Sequence, residues 1–572
     1  MIHHLSPEQS HECSLNGLWQ FTFLADTNPD VSLEEVSHVW EQVLVPSAFD
    51  ASIAYAGKRG VALYRREIEV PVGSGAELFF GAVSMWSRIY VDGQLLLENA
   101  CGFEPLRVRV PASDQPRRLL TVVVDNRFDF DRIPMHEHYF DFYQYGGILR
   151  DVRLRILPEH GNWISAVRVT PMEHYREGIV QVDVDVVTEL RLEVFQLNAV
   201  FDGAAEVNCA DCEAREGGFR LKLQVPHPEV WSPDSPRLHQ LKISLRQGGQ
   251  TLDSRSAQFG LRRIEAREGQ LWLNGEKLIL KGYNRHEWHP NGGPCTPVSQ
   301  MMADIQILKD LGCNFVRGSH YHQDQKFLDL CDAMGLMVWE ENLGWGQREK
   351  TFASKKFVTD HEKGLRSMVA ESYNHPSIIM WGFLNEAGTN AEYVRPVVEA
   401  STSLLRELDP SRLVTFASMF IMDDKYLDLV DVISINCYPG WYGCEDHPEP
   451  LSLIEPAIEK FTASVDARGF GDKPILISEI GAEGLYGWRD PHNDFFTETY
   501  QTRYLQSAIE ATLGNHRCCG IALWHFSDVR TYSGGWSLKR PRAFNNKGTL
   551  DEYRRPKEAY AAVKAAFTKP DK

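Results

Sequence analysis

The stretch SIIMWGFLNE, residues 377–386, decides the fold. It is apolar from Ile378 to Leu384 and then ends on two polar groups, Asn385 and Glu386. A continuous apolar run of strand length reads as a β-strand buried on both faces, as in a parallel sheet. VRPVVEASTSLLRELD (394–409) follows, with a proline near its start and apolar residues at helical spacing, and predicts a helix. Outward in both directions the alternation continues. KLILKGYNRH (277–286) precedes MMADIQILKDLG (301–312), NFVRGSHY (314–321) precedes DQKFLDLCDAMG (324–335), and LMVWEE (336–341) precedes KGLRSMVAESYNH (363–375). LVTFAS (413–418), DVISINCY (431–438), PILISEIGAE (474–483) and IALWHFSD (521–528) complete eight β-rich segments, with helices between most of them, and EAYAAVKAAFTK (558–569) reads as a last amphipathic helix. This is the pattern of a (β/α)8 barrel, assigned to residues 263–572.

Upstream the texture differs. GLWQFTF, YRREIEVP, RIYVDGQLLL and RLLTVVVDNR are short alternating runs separated by Gly, Pro, Asn and Asp, the marks of strands and turns. They predict a jelly-roll sandwich over 1–157. VQVDVDVV, LEVFQLNAVF, RLKLQV and QLKISLR predict a second, immunoglobulin-like sandwich over 158–262.

Of 572 residues, 43% are hydrophobic and 24% charged, ordinary for a globular chain, and the formal net charge is −18. So acidic a surface repels a phosphate backbone and argues against nucleic acid as a partner, although a few basic residues in a pocket can still attract a small anion. No basic-then-apolar leader and no apolar run of membrane-spanning length is visible, and the eleven cysteines are scattered, so reduced thiols, a cytoplasmic location and no membrane partner are expected.

A barrel of this kind carries its chemistry at the C-terminal ends of its strands. The polar residues there are Arg285 and His286, then His320, Glu340 with Glu341, Asn385 with Glu386, Asn436 with Tyr438, Glu479, and Trp524. Glu386 and Glu479 each close a buried strand and lie 93 residues apart, so only the fold brings them together. A single buried glutamate can be half of a structural ion pair. Two of them at strand ends supply the carboxyl pair that glycosidic cleavage requires, one to protonate the leaving oxygen and one to attack carbon or activate water. His286-Glu287-Trp288-His289 lacks the i, i+4 spacing of a helical zinc motif, no magnesium ligand set is identifiable, and neither metal nor cofactor is expected.

GYNRHEWHP (282–290), NFVRGSHY, NHPSIIMWGFLNE (374–386), ISINCYPGWY (433–442), ISEIGAEG (477–484) and WHFSD (524–528), in a chain ordered sandwich, sandwich, barrel, resemble glycoside hydrolase family 2, and most of all its bacterial β-glucuronidases. The resemblance implies a retaining exo-β-glycosidase that hydrolyses terminal β-D-glucuronides by double displacement, with Glu386 as general acid/base and Glu479 as nucleophile, their carboxyl groups about 5–5.5 Å apart. It implies substrate contacts from His320, Asn385, Asn436, Tyr438 and Trp524, and a homo-oligomer. Asn545-Asn546-Lys547 resembles the Asn-x-Lys motif by which family β-glucuronidases hold the C6 carboxylate, so Asn545 and Lys547 are expected there. Asp141 matches an aspartate reaching in from the N-terminal sandwich. WGFLNEAG departs from the family's Asn-Glu-Pro, and Ile480 stands where tyrosine is common. A β-galacturonidase or β-galactosidase of the same family remains open, as does a carbohydrate-binding protein without catalysis.

Overall fold

In the computed structural model, residues 12–25, 27–28, 39–133, 141–159, 161–209, 212–342, 344–532 and 540–569 are described. The first module packs two main antiparallel sheets, one of four strands and one of six, beside a small three-stranded one. Trp19, Phe21, Tyr64, Leu78, Phe80, Ile89 and Val122 fill the space between them. The second is a pair of four-stranded sheets, beginning with Trp163–Pro171 and ending with Gln250–Phe259, closed over Val182, Leu197, Phe219 and Ile243.

A closed barrel of eight parallel strands follows. Its strands are β1 (Leu280–Arg285), β2 (Phe315–Gly318), β3 (Met337–Glu341), β4 (Ile378–Asn385), β5 (Leu413–Ser418), β6 (Ile433–Asn436), β7 (Ile475–Ile480) and β8 (Cys518–Leu523). Every residue of β4 is buried, which is why its sequence runs apolar instead of alternating. Gly382 in β4 is required by close approach: a Cβ there would lie 2.1 Å from Trp339 Nε1 of β3.

Helices α1 (Val298–Asp310), α2 (Gln325–Met334) and α3 (Lys355–Ser372) follow the first three strands, and α4 (Arg395–Leu408) follows β4. α4 buries Val397, Val398, Ser401, Leu404 and Leu405, the i, i+3, i+4 stripe its sequence predicts. It stops at Asp409 before Pro410, and Asp409 then accepts from Trp381 Nε1 at 2.9 Å, tying the helix end to β4. β5 and β6 are joined by turns, with no helix among the described residues there. α5 (Ile454–Ala467) and α6 (Glu498–Gly514) flank β7, and the C-terminal α7 (Ala559–Phe567) reaches β1, where Lys281 Nζ donates to the carbonyl of Phe567 at 3.1 Å. A three-stranded sheet over residues 264–278 packs below the barrel with Trp231, Trp339 and Met380 in its core. No described helix is long and apolar enough to cross a membrane, and all eleven cysteines are free.

Candidate active site

The strand ends converge on one buried polar cluster, and Arg317 of β2 stands at its centre. Its guanidinium is fully buried. Nη1 donates to Glu479 Oε1 at 2.7 Å and to Asn284 Oδ1 at 3.1 Å, Nη2 to Asn385 Oδ1 at 2.8 Å, and Nε to Glu341 Oε2 at 3.0 Å. One cation thus links strands 1, 2, 3, 4 and 7. Charges so deeply buried cost several kcal/mol each unless paired, and here the fork geometry of arginine supplies the pairing.

Glu479 is held on both oxygens, since Tyr438 Oη donates to Oε2 at 2.7 Å. Burial raises its pKa, while Arg317 and Tyr438 oppose that by favouring the carboxylate. Glu386 follows β4 directly with φ 50°, a left-handed backbone that a glutamate rarely adopts, and its amide is fixed to the carbonyl of Ala417 at 2.9 Å. Among the described residues its one side-chain donor is Asn436 Nδ2, 3.1 Å from Oε1. Burial, and next the negative charge of Glu479, push its pKa up to about 8. The two carboxyl groups are therefore set apart in the manner an acid and a nucleophile need, one cationically clamped and the other favoured in its protonated form.

Asn385 accepts from Arg317 and from Asn436 (3.0 Å), while its Nδ2 is buried with no partner among the described residues. Asn436 is occupied on both sides, because its Oδ1 accepts from Ser478 Oγ at 2.7 Å. The His320 ring stacks on Trp524 (centroids 5.2 Å apart, planes at 15°), and its Nδ1 lies 3.1 Å from Glu341 Oε1. Burial, and then Arg317, hold His320 neutral by depressing its pKa. His286 packs at 4.7 Å on Phe142, a residue of the N-terminal sandwich that reaches the barrel mouth.

A second charged cluster adjoins the first. Lys547 is fully buried; its Nζ lies 2.8 Å from Tyr442 Oη and 3.4 Å from Glu483 Oε1, with the rings of Tyr438, Trp441 and Tyr442 around it. Arg540 reaches the same Glu483 oxygen at 2.6 Å, and its other nitrogens bind both oxygens of Asp141. Asn545, with its carboxamide oxygen turned inward, accepts from Trp524 Nε1 at 3.2 Å and Arg540 Nη2 at 3.3 Å. Asp141, Asn545 and Lys547 thus lie in one network beside Trp524.

The nine expected contact and catalytic positions on the barrel, with Asp141 and His286, fall within these two adjoining clusters. Sequence reasoning assigned no role to Arg317, Tyr442, Glu483, Arg540 or Phe142. Arg317 left a readable trace, an arginine inside the otherwise apolar strand NFVRG, which demands buried acids. Glu483 and Arg540 left none, because their pairing joins residues 57 apart through the fold.

The chain is similar to known proteins over nearly its whole length. The family description "Glycosyl hydrolases family 2, TIM barrel domain" matches residues 264–570, and "Glycosyl hydrolases family 2" matches 163–262. The β-glucuronidase of Streptococcus agalactiae is 28% identical, over 99% of this chain and 97% of its own length, and that of Homo sapiens is 26% identical over 99% and 92%. Among solved structures, a β-galacturonidase from Eisenbergiella tayi bound to galacturonate is 32% identical with a TM-score of 0.87, covering 99% of each chain. The β-D-glucuronidase of Dictyoglomus thermophilum is 25% identical with a TM-score of 0.85, over 99% and 98%. The chain is a glycoside hydrolase and belongs to family 2.

Proposed function

We propose that the enzyme removes terminal β-linked hexuronic acids with retention of configuration, the β-D-glucuronide being the first reading. Glu479 attacks the anomeric carbon while Glu386 gives its proton to the glycosidic oxygen, so the aglycone leaves as a neutral alcohol. Glu386, now a carboxylate, then takes a proton from the water that displaces Glu479 and restores both groups. Asn385 Nδ2, unpartnered, donates to a sugar hydroxyl, and the Trp524–His320 stack forms the wall beneath the ring. Asn436 and Tyr438 orient the two carboxyl groups. A cytoplasmic location fits the eleven free thiols, and the family resemblance supports a homo-oligomer.

The observation that carries the substrate reading is the pair of buried cations, Lys547 and Arg540, meeting on one Glu483 oxygen next to Trp524 and Asn545. A C6 carboxylate can form charge-assisted hydrogen bonds with these cations, which a neutral hexose cannot match. A β-galacturonide is the second reading, favoured by the 32% identity to the galacturonate-bound Eisenbergiella tayi enzyme. Hydrolysis of p-nitrophenyl β-glucuronide, β-galacturonide and β-galactoside by wild type and Lys547→Ala tests both. The lysine variant should lose about a hundredfold or more in kcat/KM on uronides, the scale for removing one partner of a buried charge pair. Cleavage of the galactoside alone, indifferent to the variant, would refute the carboxylate reading.

A further inference from the structure

The cation pair is already neutralised in the free enzyme. Arg540 and Lys547 carry two positive charges, and Glu483 and Asp141 two negative ones, with side-chain exposures of 5%, 0%, 1% and 18% in that order. A substrate carboxylate entering this cluster would leave an uncompensated negative charge in a buried site, which is strongly disfavoured. One resident carboxylate must therefore give way.

Glu483 is the worse candidate. It accepts from Arg540 and Lys547 and also from the amide and side-chain nitrogens of Asn546, at 3.4 and 3.1 Å. Burial alone would raise its pKa, but Lys547 and Arg540 more than offset this and keep it below the ordinary range. Asp141 is different on each count. Its only donor among the described residues is Arg540, it is the most exposed of the four, and it belongs to a loop of the neighbouring sandwich instead of the barrel.

We propose that Asp141 is a resident counter-ion that the carboxylate of a uronic acid displaces from Arg540. This rests on the hexuronide reading and adds to it a charge-balancing device. The incoming anion exchanges for an anion already there, so the cluster's charge is conserved on binding. Neutral hexoses cannot make the exchange, and they leave Asp141 capping Arg540. The cations of the barrel then supply the preference for uronic acids and Asp141 of the sandwich tempers it, because part of the free enzyme's affinity for uronic acids is taken up in releasing the cap.

Asp141→Asn separates this from a role as a simple hydroxyl acceptor, because the amide keeps an acceptor oxygen and loses the charge that competes for Arg540. The readout is the ratio of Ki for free D-glucuronate or D-galacturonate to Ki for the matching neutral hexose, each measured as a competitive inhibitor. In Asp141→Asn the ratio should fall roughly tenfold, as expected when a competing state is removed. In Arg540→Gln it should rise by a similar factor. Asp141→Ser, a smaller change in the loop, should move the ratio in the same direction as Asp141→Asn. If Asp141→Asn weakens uronate and hexose by the same factor, or leaves the ratio unchanged while wild type still prefers the uronic acid, the exchange is overturned and the hexuronide reading stands. A wild type with no preference for the uronic acid over the hexose overturns both.

Discussion

Glu386 shows how much of a carboxyl group's acidity is set by its surroundings. Burial raises its pKa first, and the charge on Glu479 adds to that, to about 8. As the proposed acid it must enter the reaction protonated, so kcat/KM on a uronide should fall as pH rises through about 8. Replacing Glu479 by Gln removes the charge and keeps the volume. The pKa of Glu386 should then drop from about 8 while staying above 4.5, because the burial that dominates the shift persists. A carbon-13 titration of labelled glutamate in the Glu479→Gln protein reads this directly, and a value equal to or above the wild-type one would rule out the coupling. At this scale the sequence was informative where chemistry marks a strand end. Asn385, Glu386 and Glu479 each follow an apolar run, and their positions could be read without a structure. Arg317 was readable only as an anomaly. Nothing in NFVRG says that its guanidinium serves Glu479, Glu341 and Asn385 together, because those partners come from three other strands.

Elements were legible in proportion to the regularity of their patterning. β4 and α4 could be placed within a few residues because a two-sided buried strand and a one-sided helix have different periods. The charged contacts between elements were not, and the packing of α2 against the turn that precedes β4 shows why. His375 in that turn has Nδ1 2.6 Å from Asp332 Oδ2 and Nε2 3.2 Å from Gln325 Oε1, both acceptors on α2. Asp329, also on α2, lies 3.9 Å from Nδ1. Both ring nitrogens face oxygen, the arrangement of an imidazolium held between carboxylates at Nδ1 and a carboxamide oxygen at Nε2 rather than a metal ligand. Burial alone would lower its pKa, but Asp332, through charge and hydrogen bond, and Asp329 outweigh this and raise it. A histidine raised in the folded state contributes stability that is fully present below its unfolded pKa of about 6.5 and is lost as pH rises through the folded value. His375→Gln should therefore destabilise the protein by about 3 kcal/mol or more at pH 6, the scale for breaking a buried pair. The loss should shrink toward pH 9. Urea titrations at the two pH values check this, and an equal loss at both would mean that the ring contributes packing and no charge.

Over the whole molecule, the site is completed only when the first sandwich sits on the barrel mouth. That sandwich delivers Phe142 against His286 and Asp141 against Arg540. Their placement depends on contacts away from the chemistry. Arg150, 4% exposed at the side chain, donates from Nη2 to Glu287 Oε2 at 2.7 Å and to the carbonyl of His322 at 2.6 Å, both on the barrel, and from Nη1 to the carbonyl of Phe103 at 3.1 Å in its own sandwich. This one guanidinium spans the junction, and Glu287 is 1% exposed at its side chain, so removing the arginine strands a buried carboxylate. Arg150→Met should cost about 3–5 kcal/mol, chiefly through that stranded charge. The double variant Arg150→Met/Glu287→Gln should recover a good part of the loss, since the Glu287 charge is then no longer stranded. Because the junction positions Asp141 and Phe142, uronide hydrolysis by Arg150→Met should also be lost at a lower urea concentration than the fluorescence of the barrel tryptophans. In wild type the two should fall together. A double variant no more stable than the single one would show that Glu287 finds another partner when Arg150 is gone.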